Sequence, residues 1–179
     1  MNVVICCVNS KYIHSSLAAW CLLSQIKHDC GDELHACVVE GTINEKEENV
    51  VERLQKHNPD IIGFCCYIWN ISYVKRLAET IKKANKNIQI IFGGPEVSYC
   101  AADFLKSYNF VDYIISGEGE YPLVSLINSL ACKDKIKNNI GICYRRGDDI
   151  IVSEPYIHNG ETLSPYCDEY FESLAGRIS

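Results

Sequence analysis

The segment Asn9 to Ala18, NSKYIHSSLA, places a histidine beside two serines where the apolar run VVICCV gives way to a predicted helix. A histidine at such a junction could ligate a metal ion or act as a base. It could equally belong to the start of the helix, whose first N–H groups need partners that Ser15, Ser16 or His14 itself would supply. The residue types alone leave these three hypotheses open.

Three further segments that follow apolar runs carry residues able to bind a ligand. CYIWN at 66–70 offers two aromatic rings and an amide, GGPE at 93–96 offers two glycines, and GEGE at 117–120 offers two carboxylates. Together with the first segment they suit a large, flat, mostly uncharged ligand better than a free phosphate group. The candidate binding residues from the four segments are Asn9, Ser10, Lys11, Tyr12, His14, Cys66, Tyr67, Ile68, Trp69, Asn70, Gly93, Gly94, Pro95, Glu96, Gly117, Glu118, Gly119 and Glu120.

Each of these segments also has an interpretation that is only structural. The glycines and proline of 93–95 could form a turn, since glycine permits positive φ and proline presets a turn. The acids of 117–120 could simply favour the N-terminus of the next helix. Tyr67 and Trp69 could be core residues or could flank a ring-shaped ligand, and Asn70 could cap the third helix. Both interpretations stay open for every segment.

The elements that must position these segments alternate along the chain. Runs rich in Val, Ile and Cys predict five strands, at residues 3–8, 33–40, 60–66, 88–93 and 111–117. The segments between them space apolar residues like one face of a helix, as Ala19, Leu23 and Ile26 do in the first. This alternation predicts an α/β fold with a doubly wound parallel sheet and helices on both faces. Because each of the four segments follows a parallel strand, they share one rim at the carboxyl ends of the strands. Ligands bind beyond this rim in such sheets.

The C-terminal part of the chain departs from this alternation. IGICYRR and IIVS flank the residues Gly147-Asp148-Asp149 and predict a β-hairpin. Residues from Glu154 onward hold two prolines and scattered aromatics without a clear period, which predicts an extended tail or the start of a linker. We therefore divide the chain into a ligand-binding domain at 1–135 and a hairpin with a linker at 136–179.

Composition argues against several classes of partner. The 179 residues, 47% of them hydrophobic, fit one globular domain. A formal charge of −6 without a Lys/Arg-rich block disfavours nucleic acid or an anionic membrane surface, and no apolar run reaches the roughly 20 residues of a membrane span. The eleven cysteines lie mostly inside apolar runs, and the chain starts without the pattern of a secretory leader. We therefore expect buried thiols in a reducing, cytoplasmic compartment.

Missing motifs argue against further chemistry. GxGxxG and GxxxxGK[ST] are absent, which disfavours dinucleotide and P-loop nucleotide binding. A GxSxG nucleophile elbow is also absent, and the first and third strands end without the acids of a phosphoryl-accepting receiver. Without CxxC or CxxxCxxC spacing, we expect no zinc site and no iron–sulfur cluster in this stretch, and we assign it no metal ligand and no catalytic residue.

Taken in order, NSKYIHSSLA, CYIWN, GGPEVSY and SGEGEYP resemble the N-terminal cobalamin-binding domain of cobalamin-dependent radical S-adenosylmethionine (radical SAM) proteins. The resemblance covers nearly all of residues 1–175. It implies a flavodoxin-like, Rossmann-like sheet of five parallel strands in the order 2-1-3-4-5, with the hairpin as a small C-terminal addition. It also implies cobalamin, or vitamin B12, over the carboxyl rim. The corrin would rest on the loops after the first and third strands, and the nucleotide tail would run toward Gly93-Gly94 and Gly117-Glu118-Gly119.

The sequence departs from the wider family pattern at the first loop. A DxHxxG motif there commonly supplies a histidine to cobalt, but Tyr12 stands in the place of the acid and Leu17 in the place of the glycine. The radical subfamily commonly lacks a protein ligand below cobalt, and this implies that His14 belongs to the helix entry. Asn9, Ser10 and Tyr12 are then better placed to line the corrin.

A second departure concerns catalysis. The CxxxCxxC motif that holds the [4Fe-4S] cluster for S-adenosylmethionine cleavage is absent. The resemblance therefore implies a binding module that works with a downstream radical SAM domain of the same polypeptide, in an enzyme that is expected to be a methyltransferase. Two other classes stay open from the residues alone: a flavodoxin-like FMN redox module, and a non-catalytic interaction domain.

Overall fold

The computed structural model describes residues 1–11, 15–31, 33–134, 136 and 140–178. For residues 176–178 it describes the backbone only. Within this part of the chain the strands are β1 (Asn2–Asn9), β2 (His35–Thr42), β3 (Ile61–Cys65), β4 (Gln89–Gly93), β5 (Tyr113–Ile115), β6 (Ile142–Arg146) and β7 (Asp149–Ile151). The helices are α1 (Leu17–Asp29), α2 (Glu47–Gln55), α3 (Ile71–Ala84), α4 (Pro95–Ser98), α5 (Ala101–Ser107), α6 (Glu120–Ala131) and α7 (Asp168–Ile178). None of the helices in these ranges combines the length and the apolar character needed to cross a membrane.

The sheet confirms the predicted α/β, flavodoxin-like fold and corrects its extent. Strands β1 to β5 are parallel and lie in the order β2-β1-β3-β4-β5. The prediction of a five-stranded sheet with a separate small hairpin is wrong, because β6 pairs antiparallel with β5 and β7 pairs with β6. The result is one mixed sheet of seven strands. The hairpin covers what would otherwise be an exposed edge of the parallel sheet.

Helices cover both faces of the parallel strands, as the continuously apolar strands predict. Val3, Ile5 and Cys7 of β1 face the layer that contains α1 and α6. Val4 and Cys6 face the opposite layer, which contains α2, α3 and α5. Successive residues of each strand thus enter different cores, and the two layers place the first loop and the start of α6 on the same side of the sheet.

The segment after the hairpin differs from the extended tail that the sequence predicts. Residues 153–158, which we call the strap, run beside the exit of β5, where Tyr156 N donates to Ser116 O (3.0 Å) and Glu118 N donates to Tyr156 O (2.9 Å). Helix α7 then packs on α1, with the rings of Trp20 and Tyr170 edge to face at 5.5 Å. Packing against α1 explains why a helix forms where the sequence shows no clear period.

Arg145 of β6 anchors the hairpin to the connection between α5 and β5. Its guanidinium donates to the carbonyl oxygens of Leu105 (2.9 Å) and Asn109 (3.0 Å), and also to that of Val111. These carbonyls belong to a segment whose position fixes the start of β5. The hairpin therefore stabilises the strand that leads into the 117–120 loop.

Replacing Arg145 with Met removes these donors, keeps an unbranched side chain, and leaves several carbonyl groups without their partner. We expect the free energy of unfolding to fall by about 1–3 kcal/mol, measured by urea denaturation. Arg146→Met at the exposed neighbouring position is the matched control and should change stability by less than about 0.5 kcal/mol. Equal losses in the two variants would contradict the anchoring role.

Candidate functional site

A cavity of about 250 Å³ opens at the carboxyl rim, between the sheet and the helices α1 and α6. Its lining comes from strands, from the two helices and from three rim loops: Ile5, Ala18, Leu22, Gly63, Phe64, Cys65, Tyr67, Ile91, Gly93, Gly94, Ile115, Gly117, Glu118, Gly119, Glu120 and Leu123. Small-molecule sites commonly hold roughly 300–1,000 Å³. The cavity is therefore suited to one arm of a large ligand whose remainder lies over the rim.

The structure brings together only part of the predicted site in this cavity. Tyr67, Gly93, Gly94 and all four residues of 117–120 line it. The remaining described candidates lie elsewhere on or under the rim: Asn9, Ser10 and Lys11 at the start of the first loop, Ile68 and Trp69 on the surface, Cys66 and Asn70 buried, and Pro95 and Glu96 in α4. Tyr12 and His14 lie outside the described residues.

The rim glycines are required first by close backbone contacts within the protein. Gly94 has φ +112°, and a Cβ there would lie 2.5 Å from the carbonyl oxygen of Cys66. Gly117 has φ +86°, and its Cβ would lie 2.2 Å from the carbonyl oxygen of Tyr156 in the strap. Gly94 thus lets the loops after β3 and β4 meet, a contact that requires glycine whether or not a ligand binds.

The aromatic pair of the third loop forms one flat surface. The rings of Tyr67 and Trp69 stack on each other at 4.6 Å with an interplanar angle of 5°. Trp69 is 48% exposed, whereas Tyr67 reaches into the cavity. No ring could enter between two rings that already touch, so the pair can hold a flat ligand only on an outer face.

Asn70 is fully buried and connects two strand exits. Its Nδ2 donates to the carbonyl oxygens of Val8 and Cys65, both at 2.9 Å, and its Oδ1 accepts from Tyr67 N at 2.8 Å. It stands at the N-cap position of α3, but its side chain makes no cap hydrogen bond. The capping interpretation is therefore wrong, and Asn70 instead joins the ends of β1 and β3.

Glu40 is a positioning residue that the sequence analysis missed. Its carboxylate accepts hydrogen bonds from Asn9 Nδ2 (3.2 Å), Ser15 Oγ (3.1 Å) and Ser16 N (3.0 Å). These three groups belong to the first loop and the N-cap of α1, so Glu40 fixes the loop from the neighbouring strand. The sequence carries no signal for this role, because a single acid at the end of a predicted strand belongs to no motif. The hydrogen bonds of Glu40 also join residues that are 24 to 31 positions apart in the sequence.

The interior of the site is neutral, and its acids lie at the mouth. Burial raises the pKa of Tyr67 to about 12, so its phenol stays protonated and able to donate at neutral pH. Glu118 accepts from the backbone N–H of His158 in the strap at 2.6 Å. No Lys or Arg occurs among the described residues that line the cavity. This arrangement disfavours a phosphate group inside the cavity and suits a neutral, partly aromatic ligand arm.

Residues 3–127 match the family model of the B12 binding domain. The chain belongs to this family. The match spans β1 through most of α6, which is the part of the fold that builds the cavity. In this B12-binding domain the cavity opens at the carboxyl rim, and some of the predicted site residues line it.

Two relatives each match more than half of the chain, and a solved structure shares its fold. The cobalamin-dependent radical SAM methyltransferase TokK of Streptomyces tokunonensis is 26% identical over 111 residues, which cover 62% of this chain and 15% of TokK. The anaerobic magnesium-protoporphyrin IX monomethyl ester cyclase of Synechocystis sp. is 30% identical over 111 residues, covering 61% of this chain and 22% of the cyclase. The cobalamin-dependent S-adenosylmethionine radical enzyme OxsB, with aqua-cobalamin and S-adenosylmethionine bound, shares the fold. Its TM-score is 0.73 at 18% identity, and the match covers 88% of this chain and 22% of OxsB. The B12-binding domain thus spans between 15% and 22% of the length of these three proteins.

Gly94→Ala tests whether the loops after β3 and β4 must touch. Gly147, with φ +62° and no atom within 4 Å of its Cβ position, provides a matched control. Gly147→Ala measures the cost of an alanine at φ +62° alone, about 1–2 kcal/mol, whereas Gly94, at φ +112° and ψ 175°, lies in a region that only glycine readily adopts. Gly94→Ala adds a steric overlap that costs about 1–3 kcal/mol and should lower the free energy of unfolding further, measured by urea denaturation. Equal losses would show that contact with Cys66 is unimportant.

Glu40→Gln keeps the size of the side chain but removes the charged acceptor of the first loop. We expect the free energy of unfolding to fall by about 1–3 kcal/mol, and limited proteolysis within residues 10–16 to become faster. Glu48→Gln, an exposed position on α2, should change neither quantity. Unchanged proteolysis in Glu40→Gln would remove Glu40 from the scaffold of the site.

Proposed function

We propose that this chain is the cobalamin-binding module of a cobalamin-dependent radical SAM methyltransferase. The observation that carries the proposal is the neutral cavity beneath the carboxyl rim, which opens beside an exposed aromatic surface. A corrinoid has the matching form: a wide ring system with one long arm that ends in an aromatic base. Membership of the B12 binding domain family supports the same ligand.

The described residues fit this cofactor in two places. For the aromatic base that ends the nucleotide arm we propose the cavity, with Leu22, Leu123 and Ile115 as apolar contacts and the loops at 93–94 and 117–119 as its mouth, so that the phosphate of the arm stays outside. For the corrin we propose the rim formed by Asn9, Ser10 and Lys11 of the first loop and by Tyr67 to Trp69 of the third. Pro95, Glu96 and Glu120 border this area, while Cys66 and Asn70 support it from below.

The protein's own part is to bind, to orient and to exclude water. When bound, cobalamin supplies alkyl-group transfer at its cobalt. Leu17, Ile68 and Trp69 expose apolar surface on the rim, where they would keep water from the covered face of a flat ligand. The protonated Tyr67 hydroxyl would donate a hydrogen bond to the ligand without adding charge. The sequence predicts that His14 does not ligate cobalt, and this stays a prediction.

For the reaction of the whole protein we make a proposal that is based on the relatives of this domain. TokK is a radical SAM methyltransferase by name, and this supports methyl transfer, with S-adenosylmethionine and a [4Fe-4S] cluster held by a radical SAM domain in cis. The cyclase shows that relatives of this domain also occur in an enzyme named for ring closure. We propose the division expected from the sequence, a cofactor module at 1–135 and a hairpin with a linker at 136–179, although the strap also supports the 117–120 loop.

Cobalamin retention by the isolated chain tests the proposal. The protein is incubated with hydroxocobalamin, desalted and examined for corrin absorption, which we expect to remain. Ala18→Trp adds an indole at an exposed position in the cavity lining and should weaken retention by about 10- to 100-fold, because overpacking costs about 1–3 kcal/mol.

Ala131→Trp is the matched control, since it also alters an exposed alanine, at the far end of α6, and should retain cobalamin like the parent chain. Complete loss of colour from the parent chain would contradict cobalamin binding. A flavin spectrum in the purified protein would support the FMN alternative instead. Equal retention by Ala18→Trp and Ala131→Trp would contradict the use of the cavity.

A further inference from the structure

Two buried cysteines face each other where the strand order of the sheet reverses. Cys7 of β1 and Cys65 of β3 are register partners on adjacent parallel strands. Both side chains enter the layer of α1 and α6, and both are almost fully buried. Nothing in the proposed cofactor site requires a thiol at either position.

The two thiols interact directly. The Cys7 thiol donates to Asn9 Oδ1 at 3.6 Å. Interaction with the side chains of Cys65 and Ser16 holds the pKa of Cys7 below its usual value, although burial opposes it, whereas the interaction with Cys7 and burial raise the pKa of Cys65. When the pair loses one proton, the charge therefore lies on Cys7 and the remaining proton on Cys65. A thiolate supported in this way is the reactive form of cysteine.

The cavity reaches one member of the pair. Cys65 belongs to the cavity lining, and Cys7 is its register partner on the adjacent strand. Cys6 and Cys66 occupy the opposite, closed layer, where burial raises the pKa of both thiols. Cys6 is in register with Phe64 and has no thiol opposite it on β3. Among these four neighbouring cysteines, only Cys7 and Cys65 are register partners of each other, and only Cys65 lines the cavity.

The backbone spacing also suits a covalent bond between the two sulfur atoms. Adjacent strands lie about 4.8 Å apart. Disulfides join cysteines whose Cα atoms are about 4.4–6.8 Å apart. Register partners on β1 and β3 therefore meet the distance requirement without separation of the strands.

We propose that Cys7 and Cys65 are a redox-active thiol pair that closes to a disulfide when a small peroxide enters the cavity. The Cys7 thiolate attacks one oxygen of hydrogen peroxide and the O–O bond breaks, which gives a sulfenic acid on Cys7 and hydroxide. The Cys65 sulfur then attacks the Cys7 sulfur and displaces the hydroxyl group, which takes up the Cys65 proton and leaves as water, while the proton that Cys7 released on ionisation neutralises the hydroxide. In total, two thiols and one peroxide give one disulfide and two waters.

The test uses the chain with its exposed Cys100 and Cys132 replaced by serine, so that cross-links between molecules do not form. The protein is treated with limited hydrogen peroxide, and its mass and proteolytic peptides are measured. We expect a loss of two hydrogen atoms, a peptide pair joined through Cys7 and Cys65, and reversal by dithiothreitol. Cys6→Ser should behave like the parent, and Cys7→Ser and Cys65→Ser should lose the cross-link.

Peptides of the parent chain decide the question even if a serine variant folds poorly. Sulfinic acids without a Cys7–Cys65 cross-link, or disulfides distributed among other cysteines, would overturn the proposal. A second arm, which rests on the proposed function, repeats the oxidation with hydroxocobalamin bound and predicts a slower reaction. An unchanged rate in protein that retains its corrin colour would contradict the placement of the nucleotide arm in the cavity, but not the thiol pair.

Discussion

The carboxamide of Asn70 is the interaction on which the geometry of the rim depends. It binds the carbonyl oxygens that end β1 and β3 and fixes the backbone of Tyr67 between them. A buried amide left without these partners would cost about 1–3 kcal/mol, so the side chain and both strand exits hold each other in place. These exits are the two edges of the crevice where strand order reverses. The first loop and the aromatic surface both start from positions that one side chain determines.

The cavity itself exists because a glycine, which has no side chain, stands at one level of the sheet. Gly63 of β3 lies in register between Ile5 of β1 and Ile91 of β4, and these two isoleucines line the space that Gly63 leaves. At the top, Gly119 lets α6 start close to Leu22 of α1, where a Cβ would lie 3.0 Å from the leucine Cδ2. The two helices therefore meet over a gap in the strands, and the apolar lining follows from the core around it.

The sequence predicts the strands, the helices and the shared rim because these follow from local periodicity, and the parallel order was available from the family resemblance. Local patterns also identify the hairpin, but they do not say which edge it joins, since Tyr144 pairs with Tyr113 across a long separation. Glu40 was missed for the same reason, as its partners belong to another strand exit. Gly63 carried a usable signal, because glycine inside a strand often marks a close approach or a gap. The stacking of Tyr67 on Trp69 depends on side-chain rotation and has no sequence signal.

Alternation along two adjacent strands gives one residue type two different environments. In the pairs Cys6-Cys7 and Cys65-Cys66, one member enters the closed layer and the other enters the layer that contains the cavity. Composition treats all four as small hydrophobic residues, and only register shows that Cys7 and Cys65 meet. Because Cys65 also lines the cavity, a ligand arm and a small oxidant would use the same entrance. Under the two proposals, occupancy of the cavity would therefore limit the access of a small oxidant to Cys65.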